Sequence, residues 1–124
     1  MNRLVEVKNH NGTTVTTSEY DGLNRRIVRI EGGETRHFYY NDQWQVLEER
    51  VGAATTADKQ YVYHPHYVDA VAVRYDASAT EHYYLQDANF NVTAVTDDTG
   101  SVVERYSYSP YGEVTVLDAE FRRR

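Results

Sequence analysis

The sequence has no cysteine, only two prolines and no long apolar run. Without cysteine, neither disulfide bonds nor thiol chemistry can operate. No stretch approaches the roughly 18 apolar residues that a membrane-spanning helix needs, and the polar N-terminus does not fit a signal peptide. The net charge of −6 lacks the basic excess of a general nucleic-acid-binding protein. The sequence therefore predicts neither a membrane span nor a nucleic-acid partner, and residue content alone leaves localisation unknown.

Motifs that carry chemistry are also absent. The chain has no glycine-rich phosphate loop before Lys-Ser or Lys-Thr, no His-Glu-x-x-His and no Gly-x-Ser-x-Gly. His64 and His66, with Asp69 nearby, are the strongest metal candidates, because alternate residues share one face of a strand. Pro65 lies between the two histidines and favours an exposed turn instead. The sequence predicts no catalytic residue, no cofactor and no metal site, and hence no enzyme.

The chain is rich in tyrosine and in regularly spaced turn residues. Tyr39, Tyr61, Tyr84 and Tyr106 are separated by 22, 23 and 22 residues. Offset from them by about half a period are segments with turn chemistry: Asn11-Gly12, Gly32-Gly33, Ala53 to Asp58, Asp76-Ala77-Ser78 and Asp98-Thr99-Gly100. Turns this close together, joined by short β-branched stretches, predict an all-β fold of antiparallel hairpins with a period of about 22 residues. The regular tyrosines predict a ladder of rings across adjacent hairpins.

Three segments have the sequence character of a known repeat. They run from Tyr20 to Arg25, from Tyr84 to Val95, and from Thr99 to Gly112, where the last contains Tyr-x-Tyr-x-Pro-x-Gly. Through them the chain resembles the YD-repeat or RHS-repeat family, which includes bacterial RHS proteins and teneurin YD barrels. The residues that carry the repeat are Tyr20, Asp21, Tyr39, Tyr61, Tyr63, Tyr84, Asp87, Gly100, Tyr106, Tyr108, Pro110 and Gly112.

The chain departs from the family pattern at several turns. Ser109 replaces the usual Asp before Pro110, and Asn24 and Phe90 stand where the family often has Gly. Because these substitutions affect turn geometry, they predict less regular hairpins at these places.

The resemblance implies a meandering strip that forms a section of a spiral YD shell. Residues 1–124 would be a single segment of about five repeats, clearest over 13–118, followed by a charged tail at 119–124. Such a wall encloses or presents a C-terminal effector, often a toxin, and the family implies a secreted or cell-surface location. The expected partners are neighbouring repeats, an effector domain and a second copy paired edge to edge. The alternative is a carbohydrate-binding or cell-surface adhesion module that uses Tyr-rich sheet faces.

Overall fold

The strands form where Val, Thr and Tyr alternate with polar residues, and they end at residues that favour turns. The computed structural model describes residues 3–67 and 69–124. These residues contain eleven strands and no helix, so the predicted all-β fold is confirmed. The strands are β1 (Glu6–Lys8), β2 (Thr14–Tyr20), β3 (Arg26–Glu31), β4 (Glu34–Tyr40), β5 (Val46–Val51), β6 (Lys59–Tyr63), β7 (Val71–Asp76), β8 (Glu81–Gln86), β9 (Val92–Thr96), β10 (Val102–Tyr108) and β11 (Val114–Leu117).

The chain divides into two units, one up to Gln60 and the other from Tyr61. In the first unit, each strand pairs antiparallel with the next, as in the pairs Arg29↔Arg36 and Tyr39↔Glu48. In the second unit, β7 to β11 pair in the same way, as in Tyr84↔Val95. Pairing between chain neighbours confirms the predicted β-meander.

Neither unit has a core of large apolar side chains among the described residues. The buried hydrophobic residues are Ala70, Ala94 and Val95, and Gln45 is the buried polar residue. Many large apolar side chains stay exposed, including Leu85 at 49% and Trp44 at 56%. These hairpins therefore lack the covering layer that a free-standing sheet normally packs against.

The C-terminal residues, expected to be a charged tail, take up a defined backbone. Asp118 and Arg122 close a turn, with the Asp118 N–H donating to the Arg122 carbonyl at 2.8 Å. Arg123 then forms a β-bridge with Leu117, and the Arg124 N–H donates to the Val116 carbonyl. The reason is that Asp118 supplies the same turn chemistry as the earlier aspartates. No helix in the described ranges is long and apolar enough to cross a membrane.

Candidate functional site: Tyr–Asx turns and an aromatic groove

One type of turn recurs along the chain. The first residue of this turn is Asn, Asp or Ser. The side-chain oxygen of that residue accepts hydrogen bonds from the N–H groups of the residues two and four positions later. At Asp97 these bonds come from Thr99 and Ser101, each at 2.9 Å. The residues that begin such a turn are Asn9, Asp21, Asn41, Asp87, Asp97, Ser109 and Asp118. The side chain thus satisfies backbone donors that the hairpin leaves unpaired.

The fourth residue of each of these turns has a left-handed backbone. Gly100 and Gly112 adopt this conformation at little cost, with φ of 82° and 83°. Asn24 and Phe90 adopt it as well, with φ of 67° and 63°. The capping Asp residues hold the loop at both positions although glycine is missing. The two hairpins carry register shifts, between Glu19 and Tyr20 in one and between Leu85 and Gln86 in the other. A type I turn followed by a left-handed residue is a common hairpin loop.

Ser109 shows that a hydroxyl can replace the usual carboxylate. Its Oγ accepts hydrogen bonds from the N–H groups of Glu113 at 3.1 Å and Tyr111 at 3.4 Å. Pro110, the second turn residue, fixes the φ that a type I turn requires. The Tyr-x-Tyr-x-Pro-x-Gly segment thus forms the same turn as the Asp97 segment of this chain.

The tyrosine before a turn ties that turn to the preceding strand. The Tyr20 hydroxyl donates to the Leu4 carbonyl at 3.0 Å, and Tyr108 donates to the Val92 carbonyl at 2.8 Å. Tyr40 makes the same bond to Arg26 at 2.7 Å, and burial raises the pKa of its hydroxyl. The Tyr–Asx pair therefore combines two functions, because Asx shapes the loop while Tyr bonds the neighbouring strand.

Three of the four regularly spaced tyrosines hold the same place before a turn, and the fourth does not. Tyr61, Tyr84 and Tyr106 stand three residues before the first residue of the following turn, whereas Tyr39 stands two residues before Asn41. Successive residues of a strand point to opposite faces, so Phe38 holds the position that the spacing assigned to Tyr39. Tyr39 is 46% exposed and lies under the Arg50 guanidinium, 4.7 Å from its ring centre.

An arginine organises the polar side chains of the first unit. Arg36 contacts three carboxylates, those of Glu34 and Glu49 at 2.8 Å and that of Asp58 at 2.7 Å. Its side chain and that of Glu49 are each 14% exposed. The hydrogen bond to Asp58, the largest favourable contribution, raises the pKa of Arg36. Arg36 thereby anchors the long loop between β5 and β6 to the middle of the hairpin.

A second polar cluster lies in the other unit, around a cavity of about 240 Å³. The Arg74 Nη1 donates to the Tyr84 hydroxyl at 3.2 Å, and the Arg74 Nε lies 3.0 Å from the Asp76 carboxylate, in a geometry too bent for a hydrogen bond. Tyr106 donates to Glu104, and burial followed by this hydrogen bond raises the pKa of Tyr106 to about 12. Arg74 thus links β7 to β8, whereas the bond between Tyr106 and Glu104 lies within β10 on the wall of the same cavity.

The histidine candidates lie in the loop after β6. The ring centres of His64 and His66 are 5.6 Å apart, and the His66 N–H donates to Nδ1 of His64 at 3.3 Å. Over residues 3–67 and 69–124, no group of three His, Cys, Asp or Glu side chains is arranged to hold a metal. Asp69 lines a separate groove and does not join the histidines in such a group.

This groove lies between the loop after β6 and the turn after β8. Its volume is about 390 Å³, and its walls include Tyr67, Asp69, Tyr84, Gln86 and Phe90. The rings of Tyr67 and Phe90 stack with centres 3.7 Å apart and an angle of 7°. They are 45% and 39% exposed. The groove thus combines aromatic surface with one amide and one carboxylate.

Sequence reasoning missed several of these residues. Tyr40, Asn41 and Arg36 were not among the expected repeat residues, although Tyr40-Asn41 repeats the pattern of Tyr20-Asp21. Reading Asn as equivalent to Asp would have revealed this turn, because both side chains accept the same backbone hydrogen bonds. The three partners of Arg36 are too far apart in sequence to be recognised from a local pattern.

Repeated antiparallel hairpins with Asn-, Asp- or Ser-capped turns, three of them preceded by Tyr, define a β-hairpin repeat protein. Comparison with known families agrees, since the family described as Teneurin YD-shell matches residues 3–119. The chain belongs to the Teneurin YD-shell family.

Curated relatives include much longer bacterial proteins. The tRNA3(Ser)-specific nuclease WapA of Bacillus spizizenii is 29% identical over 104 residues, and the tRNA(Glu)-specific nuclease WapA of Bacillus subtilis subsp. natto is 30% identical over the same length. Each match covers 83% of this chain and 4% of the relative. The chain therefore spans only a small part of the length of these nucleases.

Proposed function

We propose that the chain is a section of the wall of a YD shell, which encloses or presents an effector domain of a larger protein. The carrying observation is a run of hairpins whose tight turns are well satisfied while its sheet faces stay largely uncovered. Such hairpins gain stability from further repeats or from enclosed material. The WapA relatives are named as tRNA nucleases, which supports an effector activity in such a larger protein, and membership of the family supports a secreted or surface location.

The wall role predicts an edge that can accept another strand. The Val5 carbonyl accepts a hydrogen bond from the Ser18 N–H at 2.8 Å, so Val5 faces β2. Hydrogen-bonded pairs alternate along an antiparallel ladder, and the Glu6 N–H therefore points away from β2. This places an unpaired donor at the edge of β1 where a neighbouring repeat would add.

Sedimentation velocity over a range of protein concentrations tests this edge. We expect the wild type to associate as concentration rises, and Glu6→Pro to associate less, because proline removes the outward donor. Glu6→Ala is the matched control, since it loses the same side-chain contacts to Thr14 and Lys8 but keeps the N–H. A wild type that stays monomeric at every concentration would remove the physical support for a wall section.

Enclosure of an effector is tested on the intact gene product by limited proteolysis. A domain that follows the repeats is expected to resist cleavage, and Arg36→Met should expose it by loosening the β4–β5 hairpin. If that domain is cleaved as rapidly in the intact protein as when it is produced alone, the repeats do not enclose it.

The sheet faces themselves offer less support for the carbohydrate or adhesion alternative. The hydroxyls of Tyr20, Tyr40 and Tyr108 are bonded to backbone carbonyls, and those of Tyr83 and Tyr106 to carboxylates. These groups serve the sheet internally. The Tyr67–Phe90 groove differs from the strand faces, because its aromatic rings are half exposed.

A further inference from the structure

The wall of the cavity of about 240 Å³ in the second unit, the Arg74 cavity, carries hydrogen-bonding groups that lack acceptors. The Arg74 Nε and the His82 Nδ1 are buried and have no hydrogen-bond partner among the described residues. The Tyr84 hydroxyl accepts a bond from Arg74 at 3.2 Å and donates none to a described residue, so its hydrogen is also available. Buried donors of this kind are costly to leave unpaired.

The acceptors around the Arg74 cavity are already engaged. One oxygen of Glu104 accepts a bond from the Tyr106 hydroxyl, and the other accepts a bond from the Arg124 Nη1 at 2.8 Å. The Asp76 carboxylate, which is not part of the wall, accepts a bond from the Arg74 Nη2 at 3.3 Å. The cavity therefore suits a molecule that accepts hydrogen bonds better than one that donates them.

Charge and size restrict the occupant further. The two arginines near the cavity are balanced by the two carboxylates, so a dianion would meet no net positive charge. A single negative charge can be offset by a proton on His82, which also makes Nδ1 a donor. Val95 and Val103 supply an apolar part of the wall, and the volume suits a molecule of about six heavy atoms. A carboxylate on a short branched alkyl chain meets each of these conditions.

We propose that the Arg74 cavity binds a small aliphatic carboxylate. Its oxygens accept hydrogen bonds from the Arg74 Nε, the His82 Nδ1 and the Tyr84 hydroxyl, and its alkyl group packs on Val95 and Val103. The site is independent of the wall role, because it needs neither a second copy of the chain nor an enclosed effector.

The proton on His82 makes binding depend on pH. Every element around His82 contributes a charged or titratable group: Arg74 and Asp76 from β7, Tyr84 from β8, Asp97 from the turn after β9, and Glu104 and Tyr106 from β10. Histidine gains its proton as pH falls from about 8 to about 5, whereas a simple carboxylate stays ionised at about pH 6. The affinity for a carboxylate should therefore rise as pH falls from about 8 to about 6.

Two-dimensional NMR titration of the full chain tests the site. The probes are isobutyrate, its neutral isostere isobutyramide, and inorganic sulfate, which is a dianion. For a ligand of this size we expect a Kd of about 5 mM for isobutyrate at about pH 6, and binding about fivefold weaker at about pH 8. Isobutyramide and sulfate should each bind about tenfold more weakly than isobutyrate. The amide signals that shift should belong to Val95, Val103 and Glu104.

Arg74→Lys is the decisive variant. It keeps a positive charge beside Asp76 but removes the Nε donor, so binding should weaken about tenfold. His82→Phe keeps a ring in the wall and should abolish the difference between about pH 6 and about pH 8. Arg105→Met is the matched control, because Arg105 follows Glu104 in β10 and lies on the opposite face of the sheet. This control should bind isobutyrate as the wild type does.

The proposal is overturned if isobutyrate does not bind, or if isobutyramide or sulfate binds as tightly as isobutyrate. Shifts that map to Tyr83 and Leu85, on the opposite face of the sheet, would overturn it too. Equal binding by Arg74→Lys and wild type, or a pH dependence that survives in His82→Phe, would have the same consequence.

Discussion

The most buried residue of the unit up to Gln60 is an amide beside a half-buried ion pair, whereas the most buried residues of the unit from Tyr61 are aliphatic. In the first, Arg36 and Glu49 are each 14% exposed, and Gln45 is buried at 8%. In the second, Ala70, Ala94 and Val95 are the buried residues. The same hairpin geometry is thus stabilised by different chemistry, because the turns fix the backbone and leave the faces free to vary.

Cation–π contacts follow the same division. Arg25 lies over the Tyr40 ring at 5.1 Å and Arg50 over Tyr39 at 4.7 Å, both in the first unit. In the second unit the described contact of this kind is Arg105 over Phe121 at 4.3 Å. The first unit therefore depends more on electrostatics than the second, and perturbations of charge and of volume should separate the two.

Arg36→Met should have the largest effect. Removing the guanidinium takes away the ion pairs to Glu34, Glu49 and Asp58 together, and we expect a loss of about 2 kcal/mol in the free energy of unfolding. Amide hydrogen exchange should locate the loss in β4 and β5. Arg29→Met is the control, since Arg29 pairs with Glu31 at 3.5 Å on the exposed surface and should cost less than about 1 kcal/mol. Equal losses in both variants would contradict the comparison.

Val95→Ala is the corresponding test of the second unit. Val95 is 6% exposed, and deleting its two methyl groups should cost about 2 kcal/mol, measured by urea unfolding. Val103→Ala, at a position 36% exposed, should cost clearly less. Equal losses in Val95→Ala and Val103→Ala would show that aliphatic burial at Val95 does not stabilise the second unit.

Alkaline titration should distinguish Tyr106 from the other tyrosines, and its contribution to stability should be smaller than those of Arg36 and Val95. Because the pKa of its hydroxyl is raised to about 12 in the folded chain, the stability that it contributes is full below the ordinary tyrosine pKa and is lost as pH rises to about 12. Ultraviolet titration of tyrosinate should lack the highest-pH component in Tyr106→Phe. The same component surviving in that variant would assign it to another tyrosine.

The smallest changes in stability should come from substitutions in the turns, and they should be of similar size in both units. Ala79 has a φ of 60°, and Ala79→Gly should stabilise the second unit by about 1 kcal/mol. Gly12 has a φ of 80°, and Gly12→Ala should destabilise the first by a similar amount. Thermal unfolding would measure both shifts. If both variants were stabilised, or both destabilised, the turns would also differ between the units.

The sequence predicted the turns better than the faces. Gly100 and Asp97 could be recognised from local chemistry, because one favours a left-handed backbone and the other caps the loop. Tyr39 does not hold the same place as the other three tyrosines, because the equivalent residue is Phe38, 23 residues before Tyr61. A spacing of about 22 residues does not separate Phe38 from its neighbour. Arg36 and the Tyr67–Phe90 groove depend on contacts between separate hairpins, which periodicity alone does not specify.

Pairing between chain neighbours also governs how the fold forms. In each unit a strand finds its partner across one short turn, so closing the loop costs little entropy and contact order is low. Each hairpin can fold as soon as its second strand has left the ribosome or a narrow secretion channel. The growing edge then serves as the template for the next strand, and assembly runs in the order of synthesis.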